Sequence, residues 1–236
     1  MSMSGVQEIE AGEASSLDGY ARLAVALGTE PAFSLHTPRP AGQTPDADPV
    51  HAAMGEAEAA HLGALGFEVL LDEPYQHFQF AGRADLVAVD RDRRALLHLE
   101  NRTRFPDIQA AIGSYNAKRA YLAPQLANRL EIRAGFRSVT HVIVALWSAE
   151  TLHTLRLRES TFRAVCPDPA DDFGTWWDGT SPEGNGQKST LVLFDPLPGQ
   201  RSTRRRWVSL DDLRTVDPRY RGYADATAKI RLADAA

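Results

Sequence analysis

Apolar runs and polar breaks are most sharply divided between Gly82 and Arg102. There two short apolar runs, Gly82–Asp90 (GRADLVAVD) and Leu96–Arg102 (LLHLENR), flank the polar turn Arg91–Arg94. The pattern predicts a β-hairpin. Ahead of it, Val50, Met54, Ala57, His61, Leu62 and Leu65 recur at helical spacing, predicting a helix from Asp48 to Gly66, with Pro49 in its first turn. Phe67–Leu71 reads as a strand broken at Asp72–Glu73–Pro74, which Tyr75–Phe80 could continue. After the hairpin, Asp107 caps a predicted helix over Ile108–Leu122 that Pro124 ends or kinks, with a further turn over Leu126–Leu130. Val139–Trp147 is an almost continuous apolar run rich in β-branched residues, as expected of a central strand covered on both faces. Glu150–Val165 then reads as one helix, residues 168–190 as loop containing Trp176–Trp177, and Leu191–Phe194 as a short strand.

The two ends carry less periodic signal. Leu17–Leu27 forms one helix with Ser16 as N-cap, followed by a proline-rich linker up to Pro49. At the other end, RSTRRRW precedes a helix-like SLDDL segment, and its basic run reads as a solvated turn before it reads as a phosphate contact. The expected organisation is residues 1–47 as helix plus linker, 48–165 as the core, and 166–236 as a loop-rich extension.

Composition narrows the function classes. The 236 residues are 43% hydrophobic, enough to fill a core, and the formal net charge is −5, which argues against a generally basic coat. The charge is uneven, however: between Arg91 and Arg137 there are ten basic residues against four acidic ones, so a basic island suited to a polyanion surrounds the hairpin. One cysteine, Cys166, excludes an internal disulfide and a thiolate zinc site. The amino terminus does not read as a secretory signal and no apolar run approaches membrane length, so a soluble cytoplasmic protein is expected, with no membrane partner. Only three of the 26 basic residues are lysine, which fits a GC-rich genome. No glycine-rich phosphate loop or nucleophile elbow is present, and nothing calls for a small organic cofactor.

The chemistry sits in the hairpin. Asp85 lies inside the first strand, between Ala84 and Leu86; Glu100 closes the apolar part of the second, with Arg102 two residues on and therefore on the same face. Pairing through the turn can bring Asp85 beside Glu100. Two carboxylates and a cation at one end of a buried sheet are how a divalent metal and a phosphate are held. The plainer reading is a hairpin with surface charges. Glu58, on the apolar stripe of the first core helix, is a carboxylate on a buried face, or one that snorkels out.

The order helix, strand, strand with Asp, strand with Glu, helix, strand, helix, together with G-R-A-D at Gly82–Asp85 and L-E-N-R-T-R at Leu99–Arg104, resembles the PD-(D/E)xK, or restriction-endonuclease-like, phosphodiesterase superfamily. The closer likeness is to a bacterial branch that continues with D-x-Q, here Asp107–Gln109, and a basic pair on the next helix, here Lys118–Arg119. The likeness covers residues 48–147 and implies an α/β fold with a mixed central sheet flanked by helices, an αβββαβ core. It further implies Asp85 and Glu100 on Mg²⁺ or Mn²⁺, with the Asn101 carbonyl as a further ligand. Arg102 would be the third catalytic member, and Gln109, Lys118, Arg119 and Arg104 would be DNA contacts. This chain departs at Arg102, where the superfamily has lysine: arginine can clamp a phosphate but stays protonated and cannot take a proton from water. Lys118 could stand in for the missing lysine. The helix carboxylate stays open, Glu56 by family placement and Glu58 by the helical stripe. The function expected is a metal-dependent DNA nuclease; the alternative is an impaired or inactive nuclease-fold protein that binds DNA or a protein partner. A homodimer would let both strands of a duplex be cut, although nothing marks an interface. The nuclease reading requires Asp85 and Glu100 to converge within reach of one ion.

Overall fold

The computed structural model describes residues 16–29, 48–77, 80–197 and 205–234. Most of the linker, the first fifteen residues and the first four residues of the RSTRRRW run lie outside these. The chain divides into two units, Met1–Asp46 and Ala47–Ala236. In the first, helix α1 spans Leu17–Ala26, and Ser16 Oγ accepts from the Gly19 amide at 3.1 Å, the expected cap.

The second unit is a mixed α/β arrangement on one six-stranded sheet of order β1-β2-β3-β4-β5-β6. Strands β1 (Glu68–His77), β2 (Phe80–Asp90) and β3 (Ala95–Arg102) form an antiparallel meander. Strand β4 (Ser138–Leu146) runs parallel to β3, and β5 (Gly186–Phe194) parallel to β4, while β6 (Trp207–Ser209) is antiparallel to β5. Residues beyond 166 thus add two strands to the same sheet. Among the described residues no helix is long and apolar enough to cross a membrane.

Helices cover both faces. Helix α2 (Pro49–Ala64) places Val50, Met54 and Leu62 against Leu86, Ala88, Leu97, Leu99, Val142 and Val144. Helix α3 (Ile108–Arg129) packs Leu122, Ala123 and Leu126 on Val87, Val89, Leu96 and Val139 of the opposite face, and Tyr115 lies with Ile143 and Ala145. Every residue of β4 is buried, as its apolar run predicts for a strand between two helical layers.

Several elements differ from the sequence pattern, each for a physical reason. Strand β1 does not break at Pro74, because it is an edge strand where a missing N–H costs no ladder bond. Helix α3 runs through Pro124 to Arg129. Ala120 and Pro124 are exposed, so the carbonyl that proline deprives of a donor faces water, while Ala123, Leu126 and Ala127 hold the helix on the sheet. The expected helix over 150–165 is two, α4 (Ala149–Leu157) and α5 (Glu159–Val165), parted at Arg158. The expected loop over 168–190 contains α6 (Asp171–Trp177), whose Trp176 is fully buried and donates Nε1–H to Thr140 Oγ1 at 3.3 Å. SLDDL forms only a single 3-10 turn, Leu210–Asp212, and a further helix, α7 (Tyr223–Asp234), buries Ala226 and Ile230.

Candidate functional site at the end of strand β3

Strand alternation sends the side chains of Glu100 and Asn101 to opposite faces, and each meets a different helix. On the α3 face Glu100 is only 1% exposed. Lys118 Nζ lies 2.5 Å from each of its carboxylate oxygens, Arg102 Nη2 is 2.5 Å from Oε1, and His98 Nε2 is 3.5 Å from Oε2. Burial alone would raise the Glu100 pKa; the neighbouring His98, Arg102 and Lys118 overcome it and bring it down to about 2. His98 continues inward, with its Nδ1 3.1 Å from His141 Nδ1. Burial, reinforced by His98, lowers the His141 pKa well below the usual histidine value, which keeps that ring neutral.

Lys118 is therefore not a solvated helix residue. It stands between Tyr115 and Leu122 on the inward stripe of α3 and is itself buried. The spacing 115, 118, 122, 126 contains this information, but a lysine on such a stripe is read as polar surface until a buried anion is found beneath it.

On the α2 face, Asn101 Nδ2 donates to Glu58 Oε2 at 2.9 Å. Glu58 is completely buried, so it does not snorkel, whereas Glu56 is exposed. Glu58 Oε1 and Asn101 Oδ1 are buried without a hydrogen-bond partner among the described residues. Burial pushes the Glu58 pKa up to about 8, because one amide donor does not replace the water that a carboxylate loses.

Asp85 belongs with this second group. The regular β2–β3 ladder ends at Leu86↔Leu99, and the alternation of β2 slips by one residue there. Ala84 packs with Val87 and Val89 on the α3 side, while Leu86 and Ala88 face α2. Opposite the slip, Asp72 of β1 has φ +52° and no partner in the ladder, and the buried ring of Tyr75 beyond it crosses Gly82, where an added Cβ would lie 2.9 Å from the ring. Asp85 Oδ2 accepts from the Asn101 amide at 2.7 Å and lies 3.3 Å from His51 Nε2 of α2. The hydrogen bond to Asp85 raises the His51 pKa.

Asp48 ties the rim together. Its carboxylate caps α2 through the Val50 and His51 amides, accepts from Thr103 Oγ1 at 3.0 Å and from Tyr223 Oη at 2.9 Å, and so anchors α7 beside the end of β3. Arg104 lies over the Tyr223 ring, 4.3 Å from its centre. Between these groups and the start of α3 is a cleft of about 440 Å³ lined by His51, Asn101, Arg102, Thr103, Arg104 and Asp107, among others. Neither Asp48 nor Tyr223 stands out as a site residue from the sequence pattern. The capping role of Asp48 was legible, but its bonds to Thr103 and Tyr223 join positions far apart in the chain.

The residues expected to contact nucleic acid separate accordingly. Arg104 and Gln109 are exposed at the cleft end of α3. Lys118 is spent on Glu100, and Arg119 is half-buried, donating to Asn116 Oδ1 and to the Val165 carbonyl. The Asn101 carbonyl accepts from Arg102 Nη1 at 3.0 Å. A magnesium ion needs several free oxygen ligands. Here Glu100 is saturated by protein cations, Asp85 is bonded to an amide and a histidine, and Glu58 favours its protonated form. Among the described residues no three His, Cys, Asp or Glu side chains gather as a metal-holding group. In this arrangement the residues do not fit a resident Mg²⁺. Comparison with known proteins finds no family model, no curated protein and no solved structure that matches this chain.

Proposed function

We propose that this chain is a restriction-endonuclease-like protein that binds the phosphodiester backbone of DNA in the cleft at the end of β3 without hydrolysing it. The observation that carries this reading is the saturation of Glu100: Lys118 and Arg102 supply from within the protein the positive charge that a metal would otherwise bring. The αβββαβ order, with β3 and β4 parallel across α3, supports the superfamily assignment. The exposed Arg104, with Arg102 and His51 beside it, supports an anionic ligand. Arg102 on the motif position agrees, since it can contact phosphate but cannot activate water.

A mobility-shift assay together with plasmid nicking tests the reading. Wild type should retard DNA, more weakly as salt rises, and leave supercoiled plasmid intact in Mg²⁺ or Mn²⁺. Arg104→Ala should weaken retardation. Nicking by wild type that disappears in Asp85→Ala would overturn it.

One observation favours hydrolysis instead: Lys118 reaches Glu100 from α3, so an ammonium stands beside the motif carboxylate although the motif position is Arg102. On that reading Glu100, which stands here on the α3 face while Asp85 lies with the α2-face group, would have to part from Lys118 before the two carboxylates could share a divalent ion. Mg²⁺ should then raise the melting temperature of wild type and leave that of Asp85→Ala unmoved.

A further inference from the structure

The tip of the β1–β2 hairpin carries aromatic rings that the cleft does not use. Tyr121 of α3 stacks with two others: His77, with ring centres 4.3 Å apart and planes 16° from parallel, and Phe80, at 5.4 Å and 25°. Phe80 is 41% exposed, so part of this large apolar ring faces water. Beside the stack an open groove of about 520 Å³ is lined by Pro74, Tyr75, Gln76, Ala81, Arg83 and Gln125. Arg83 is more than half exposed and holds Asp72 at 2.5 Å in an ion pair that water can screen and exchange. Gln125 bonds both the amide and the carbonyl of Gln76, so the backbone of this edge strand is already satisfied there and does not invite another strand.

We propose that the Phe80–Tyr121–His77 stack is a platform for an unpaired base of a DNA strand whose backbone passes along the groove by Arg83. A partly exposed ring stacked on a tyrosine is the kind of aromatic surface on which bases stack irrespective of sequence, and a nearby guanidinium suits the phosphate. The groove is open rather than enclosing, which fits a strand in transit better than a free nucleotide. A duplex, with its bases already stacked on one another, offers this surface nothing. The inference rests on the DNA-binding reading above and extends it to single-stranded DNA.

Binding of a fluorescein-labelled oligothymidylate and of a labelled duplex, each followed by anisotropy at fixed salt, tests it on the full chain. Phe80→Leu keeps apolar bulk but removes the ring, Phe80→Trp keeps a ring, and thermal melting checks that both are folded. Phe80→Leu should weaken oligothymidylate binding about 5-fold to about 150-fold, leave duplex binding unchanged, and be rescued by Phe80→Trp. If folded Phe80→Leu binds the oligothymidylate like wild type, or wild type does not bind it at all, the platform is refuted. Duplex binding that remains sensitive to Arg104→Ala would then leave the cleft reading standing. Oligothymidylate binding that needs Phe80 but ignores Arg104→Ala would keep the platform and remove the cleft.

Discussion

Two glutamates meet at the end of strand β3, equally hidden from water, one favouring its neutral form and the other its anion. Glu58, beneath α2, has one amide donor and a pKa raised to about 8; Glu100, beneath α3, has a lysine, an arginine and a histidine around it and a pKa held near 2. Depth of burial is the same, 0% and 1% exposure, so it cannot be what distinguishes them. The partners do: burial penalises the charged form of both, and only Glu100 has cations close enough to reverse the sign. One face of the sheet is therefore a neutral polar contact and the other a closed ion-pair cluster, with Asp85 joined to the neutral side by the slip in β2.

The largest expected effect comes from breaking the charged side. Lys118→Met should leave Glu100 buried with Arg102 as its remaining cation and cost about 3–5 kcal/mol in denaturant unfolding. Adding Glu100→Gln should recover most of that loss, since removing both charges restores balance. A Lys118→Met protein as stable as wild type would mean that Arg102 alone suffices.

The neutral side should respond in the opposite pH direction. Folded Glu58 keeps its proton between its ordinary value of 4.5 and about 8, where the unfolded chain has released it. Its contribution is thus complete below 4.5 and is lost as pH rises through 8. Glu58→Gln should remove this decline and, above pH 8, be more stable than wild type by on the order of a few kcal/mol, read as unfolding free energy against pH.

Glu100 works the other way. Its folded value lies below 4.5, so its contribution is present above that pH and fades as pH falls towards about 2. A folded Glu100→Gln variant should show a flatter acid limb over that window. The smallest effect is expected at Asn101: Asn101→Ala removes the only hydrogen bond to Glu58 among the described residues, should cost about 0.5–1.5 kcal/mol at neutral pH, and should move the alkaline decline of wild type to still higher pH. An unmoved decline would show that Asn101 does not hold Glu58.

The chain's own pattern was enough for the local elements around this site. The hairpin from Gly82 to Arg102, the Asp48 and Asp107 caps, and the wholly buried β4 all follow from alternation, capping chemistry and apolar runs, which act over a few residues. It was also enough to mark Asp85, Glu100 and Arg102 as unusual residues for strands. Which of them meet was a tertiary matter. The slip that turns Asp85 towards His51 arises from two strands acting together, Asp72 opposite Asp85, and no period within either strand announces it. Lys118 became a core residue only because α3 docks with that side chain over Glu100, and α7 reached the cleft only because Tyr223 finds Asp48 across 175 residues of chain. Local sequence sets which way a backbone turns, but charge and protonation at a buried site depend on what other segments bring within a few ångströms, and that is decided only when the layers close.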